Sequence, residues 1–155
     1  YWQLEETRQV AAALKLDVTG GEQDWDLNTW AQMIKMRAVD IVQPDVMYMG
    51  GLSRTLHVVR MAAEAGLPVT THSANLSLVT MCTMHLLGAI PNAGKYLEFS
   101  IEGPDYYPWQ ENLFLGDPYA IEDGCVRIPA TPGWGVEINP QWLASASHRC
   151  SELAR

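Results

Sequence analysis

The 155-residue sequence is short of positive charge. Ten Lys and Arg stand against eighteen Asp and Glu, a formal net charge of −8, and the basic residues form no cluster. That argues against a nucleic-acid or anionic-membrane surface, both of which need a basic patch to neutralise phosphates. Cysteine is scarce as well. Cys82, Cys125 and Cys150 make an odd count with no CxxC spacing, which suggests reduced thiols in a cytoplasmic protein rather than a disulfide framework. No apolar run approaches the ~20 residues that a membrane helix needs. No GxGxxG or phosphate loop follows any apolar run, which weakens a nucleotide-binding reading.

What is present is core-forming material. A hydrophobic content of 48% suffices for a sizeable core in one domain of this length. Residues 3–14 carry Leu4, Val10, Ala11 and Leu14 near one helical face. Leu16 to Thr19 reads as a short strand ended by Gly20-Gly21, with Glu22 following. Asp24 or Asp26 caps the next helix, which runs to about Met36 with Leu27, Trp30, Met33 and Ile34 facing inward. Val39 to Val42 is a buried strand, followed by Asp45 and by Gly50-Gly51, which open a helix to about Ala65. That helix carries Leu52, Leu56, Val59 and Ala63 at helical spacing, and Gly66 ends it.

The pattern continues with a strand over Pro68–His72, an apolar helix from Leu76 to Gly88, and a strand over Tyr96–Ser100 that contains Glu98. After Glu102 the composition shifts to Pro, Gly and aromatics. A hairpin on the Asp123-Gly124 turn is expected over residues 119–128, and residues 141–155 form a tail with helical character. The expected division is therefore 1–102 and 103–155.

Glu22, Asp45, His72 and Glu98 close successive strands at intervals of 23, 27 and 26 residues. Such even spacing suits consecutive βα units of one parallel sheet. Two architectures fit it: an open doubly wound sheet, or part of a (β/α)₈ barrel, whose chemistry gathers at the C-terminal mouth. Four strands cannot close an eight-stranded barrel. The sequence also opens on Tyr1-Trp2 and runs straight into a helical pattern, so a C-terminal piece of a longer chain is expected.

Each polar residue has a plain reading beside a chemical one. Glu22, freed by two glycines to approach closely, is either a ligand for a hard cation, which needs several oxygen donors, or an exposed helix-leading carboxylate. His72 alone would be a hydrogen-bonded core histidine. A carboxylate on one ring nitrogen fixes the tautomer and raises basicity at the other, so Asp45 on the adjacent strand makes it a candidate proton-transfer group. Glu98 is either part of this site or a carboxylate satisfied by loop amides. His57, His85 and His148 show no such context.

The strings Thr19-Gly-Gly-Glu22-Gln-Asp24, Val39-Asp-Ile-Val-Gln-Pro-Asp45, Gly50-Gly51, Thr71-His72-Ser-Ala-Asn75, Ile90-Pro-Asn92 and Leu97-Glu98-Phe99 together resemble the mandelate racemase-like group of the enolase superfamily. They occur in that group's order and spacing, and Gly133-Trp134-Gly135-Val-Glu137 resembles its returning tail. The resemblance implies the second half, strands 5–8, of a modified (β/α)₈ TIM barrel, with a C-terminal extension that returns to the capping region. It implies Glu22 as the third Mg²⁺ ligand, Asp45 and His72 as a catalytic dyad, Glu98 as the acid on the substrate carboxylate, and Ser73 and Asn75 as substrate-binding residues.

The activity implied is Mg²⁺-dependent abstraction of the proton α to a carboxylate, foremost in the dehydration of a sugar acid, with racemisation or epimerisation of a 2-hydroxy acid as the alternative. Homo-oligomers are common in the group. Its first two metal ligands, its Lys-x-Lys motif and its capping loops have no counterpart in these residues. A catalytically incomplete half-barrel serving as a binding or assembly unit is the reading of another class.

Overall fold

A computed structural model describes residues 3–152, and these divide into two compact units that part between Ile101 and Glu102. The expectations for Tyr1-Trp2 and for residues 153–155 lie outside the described residues. Among those described, no helix is long and apolar enough to cross a membrane.

The first unit runs α1 (Leu4–Ala13), β1 (Thr19–Gly20), α2 (Leu27–Met36), β2 (Ile41–Val42), α3 (Leu52–Glu64) and α4 (Leu78–Ala89). β1 and β2 pair in parallel, Thr19 opposite Ile41 and Gly20 opposite Val42. The ladder continues through single parallel bridges, Val42 to Val69, Asp45 to His72 and Val69 to Ala93. The units thus lie side by side in sequence order, which brings the ends of successive strands to one rim.

Local chemistry explains the boundaries. Asp26, not Asp24, caps α2, its carboxylate accepting from Thr29 N–H at 2.9 Å. Arg37 ends α2 in the left-handed region, φ 51°, and its guanidinium donates to Ala65 O at 2.7 Å, tying the ends of α2 and α3 together. Gly66 (φ 68°) follows α3 as the C-terminal glycine that the sequence predicts. Trp30, Met33 and Ile34 of α2 are buried against Val39, Val42, Val58, Val59, Ala62 and Val69. Each such side chain contributes about 1.5–3 kcal/mol by leaving water.

Three expectations are corrected. α3 buries Thr55, Val58, Val59 and Ala62, whereas Leu52 and Leu56 lie at its margin and Ala63 is exposed. Small and β-branched residues let this helix approach the strands closely, so the buried face is turned from the one the leucines suggest. α4 starts two residues later than expected, with Ser77 accepting from Val79 N–H at the cap. The strand expected over Tyr96–Ser100 forms no ladder. Pairing occurs earlier, with Val69 N–H donating to Asn92 O and Gly94 N–H donating to Val69 O. Beyond that point it is the Thr70 hydroxyl, not a backbone amide, that reaches Tyr96 O at 3.3 Å.

The second unit holds a short 3₁₀ turn (Pro108–Gln110), β3 (Ile121–Glu122), β4 (Cys125–Val126) and α5 (Pro140–Ser145). β3 and β4 are antiparallel. Asp123 (φ 50°) and Gly124 (φ 75°) both take positive φ, as a type I′ turn requires. Phe114 bridges Ile138; Leu113, Phe114 and Tyr119 are buried, and the rings of Phe114 and Tyr119 meet edge to face at 5.9 Å. The tail helix is one short element, and residues 146–152 have no regular structure.

Candidate active site

Gly20-Gly21 carries the chain from β1 to Glu22 with Trp30 packed directly beneath, and Gly21 takes φ 101°. A side chain there would collide with the indole, so only glycine lets Glu22 ride over the core at this point. Glu22 itself is half-exposed. Two residues on, Asp24 is buried, and its Oδ2 has no hydrogen-bond partner among the described residues. Burial pushes its carboxyl above the ordinary carboxylate value, with like charge from Asp26 adding to the rise.

Asp45 is held from both sides. Its Oδ1 accepts from Met47 N–H (2.6 Å) and Tyr48 N–H (3.0 Å), which locks the turn after β2. Its Oδ2 lies 2.7 Å from His72 Nδ1. The contact follows from register, because Asp45 bridges His72 in parallel and His72 N–H donates to Pro44 O at 3.1 Å. A carboxylate can only accept, so Nδ1 carries the hydrogen and neutral His72 keeps its lone pair on Nε2.

Nε2 lies between two further carboxylates, 3.8 Å from Glu22 Oε2 and 3.9 Å from Glu98 Oε1. An imidazolium formed there by taking up a proton would have negative charge on three sides. Glu98 is fixed through its other oxygen, which accepts from Ser73 N–H at 3.0 Å and from Gln43 Nε2 at 3.1 Å. The four strand-end residues singled out from spacing are therefore brought together around one imidazole.

Ser73 turns its side chain away from these groups. Its hydroxyl is almost fully buried and bonds to the Thr80 hydroxyl on α4, while Thr80 in turn donates to Asn75 O. Parity is the reason: Val69, Thr71 and Ser73 alternate with Thr70 and His72, so they point to the helix side of the sheet. Ser73 reaches the site through its backbone amide only. Asn75 likewise has its Oδ1 buried, without a partner among the described residues, so that oxygen does not open onto the mouth.

Two residues escaped the reading of the sequence. Gln43 sits two positions before Asp45, and strand parity alone would have placed it on the same face. Thr80 had no such signal, since its contact with Ser73 is made across a loop. Among the described residues no three His, Cys, Asp or Glu side chains converge at metal-ligand distance. Glu22 offers one hard, accessible carboxylate oxygen, which fits Mg²⁺ by donor type.

Parallel βα units with acid and imidazole groups at the strand ends define an α/β fold class, and the chain belongs to the Enolase C-terminal domain-like family, which matches residues 1–142. It is 28% identical over 145 residues to the L-rhamnonate dehydratase of Saccharopolyspora erythraea, covering 91% of this chain and 35% of that enzyme. The chain thus spans about a third of the length of that curated relative.

Among solved structures, a protein from Roseobacter denitrificans provisionally named a racemase is 69% identical, with a TM-score of 0.94, over 99% of this chain and 42% of that one. The L-talarate dehydratase of Polaromonas sp. JS666, solved with Mg and L-glucarate, is 26% identical with a TM-score of 0.72, over 92% of this chain and 36% of that one.

Proposed function

We propose that these residues form strands 5–8 of a modified (β/α)₈ barrel within a longer enzyme, and that this enzyme removes the proton α to a carboxylate in a sugar acid. In the first reading a β-hydroxyl then leaves as water, giving a 2-keto-3-deoxy acid. What supports it foremost is the His72–Asp45 contact of 2.7 Å, with Nε2 turned toward Glu22 and Glu98.

Mg²⁺, held by Glu22 together with ligands from the rest of the enzyme, would supply the positive charge that makes so weak a carbon acid removable. The other roles fall to this chain. His72 Nε2 takes the α-proton, or delivers one to the departing β-hydroxyl so that it leaves as water. Asp45 keeps Nδ1 as a donor throughout and balances the imidazolium. Glu98 Oε1 hydrogen-bonds the substrate carboxylate as negative charge accumulates on it. Loss of water leaves an enol, whose tautomer is the 2-keto product.

Racemisation or epimerisation is the second reading, favoured by the racemase name of the 69%-identical Roseobacter protein. In that case His72 Nε2 exchanges the α-proton on one face of the same carbon. Incubating the complete enzyme and Mg²⁺ with a panel of aldonic and aldaric acids separates the two. A 2-keto product from any of them supports dehydration. Exchange of the α-proton for deuterium with inversion and no keto product establishes the second reading, and neither outcome across the panel removes both.

A further inference from the structure

Gln43 follows β2 directly and is buried one step below the His72–Asp45 pair, and its two amide ends meet different partners. Nε2 lies 3.1 Å from Glu98 Oε2, and Oε1 accepts from the Thr19 hydroxyl at 3.3 Å. The orientation of this amide follows from its neighbour: a carboxylate offers only acceptors when ionised, so the NH₂ end must face Glu98. The Ser73 amide donates to the same carboxylate oxygen at 3.0 Å. Both donors therefore fall on Oε2, and none of the described bonds falls on Oε1, the oxygen 3.9 Å from His72 Nε2.

We propose that Gln43 is a positioning residue. With the Ser73 amide it clamps Glu98 through Oε2, so that Oε1 alone is presented beside His72 Nε2 to the substrate carboxylate. The inference rests on the reading of Glu98 as the group that bonds that carboxylate. A hydrogen on Oε2 would have to displace two amide donors, so whenever Glu98 donates, it donates from Oε1. Thr19 holds the far end of the amide, linking β1, β2 and the Glu98 segment across the floor of the site. Neither described side-chain hydrogen bond of Gln43 goes to His72.

The test uses the complete enzyme with the acid on which it is active. Gln43→Met keeps the length of the side chain and removes both bonds. It should lower kcat by about 10–100-fold, the usual loss when a hydrogen bond to a charged group is broken, while KM changes less than about threefold. Gln43→Glu keeps an acceptor for Thr19 and loses the donor to Glu98, so it should lose at least as much activity. It also supplies the test should Gln43→Met fail to fold.

The decisive measurement is the cycle with Glu98→Gln. If Gln43 acts through Glu98, the double variant is no slower than Glu98→Gln alone; losses that multiply overturn the proposal. A folded Gln43 variant with wild-type kcat also overturns it. The underlying reading fails separately: Glu98→Gln with wild-type kcat would remove Glu98 from the reaction, whatever Gln43 does.

Discussion

His72 Nδ1 and Asp45 Oδ2 lie 2.7 Å apart across a parallel bridge, while Asp45 Oδ1 is taken up by two backbone amides. Each oxygen of the carboxylate therefore has one fixed duty, and the imidazole is left with one free nitrogen, Nε2.

That division makes Asp45→Asn unusually informative. The backbone amides of Met47 and Tyr48 demand an acceptor, so the new side chain keeps its oxygen there and turns its NH₂ to His72. Nδ1 must then accept, the hydrogen moves to Nε2, and the lone pair that the proposed reaction needs there is lost. Turnover should fall by about 10²–10⁴-fold. Mg²⁺ affinity, measured by calorimetry on the complete enzyme, should change less than about threefold, because Asp45 offers the metal no oxygen. A large loss of affinity with turnover preserved would return Asp45 to the metal.

His72→Asn removes the group that carries the proton in the proposed reaction and leaves a side chain small enough for the site. Turnover should fall by at least about 10³-fold with an unchanged circular dichroism spectrum. Deuterium exchange at the α-carbon should vanish with it. Retained exchange would assign that step to another group.

Gly21→Ala adds a methyl group where the Trp30 ring already lies, at a φ of 101° that side chains avoid. Overpacking and backbone strain together should destabilise the fold by about 2–4 kcal/mol, read from the urea midpoint. Because Glu22 is the next residue, Mg²⁺ affinity should weaken in the same variant. An unchanged midpoint would mean that Trp30 yields without penalty.

Asp24 gives a pH prediction. Burial raises its folded-state carboxyl above the unfolded value. Folding thus favours the protonated form: the contribution is fully present below the unfolded value and is lost as pH rises through the folded one. At neutral pH the ionised group is a liability, with Oδ2 unpartnered among the described residues. Asp24→Asn should raise Tm at neutral pH, and the gap should shrink as pH falls toward about 4. A gap constant with pH would mean that charge is not the cause.

Much of this arrangement is written in the chain itself. The order of the βα units, the Gly20-Gly21 approach, the Gly66 stop and the Asp123-Gly124 turn are local matters, fixed by φ preferences and by apolar spacing. The even spacing of strand ends likewise sends Asp45 and His72 to one rim, which is why their pairing could be read from residues 27 apart. Only the tertiary structure decided the rest. The rotation of α3 toward Thr55, Val58 and Ala62 depends on how near a helix can come to its sheet, which no periodicity states. Ser73 turned to Thr80, and Gln43 joined Glu98, because buried polar groups take the partners that packing from distant segments brings within reach. Spacing names the side of a strand on which a residue lies, and packing chooses the atom it meets.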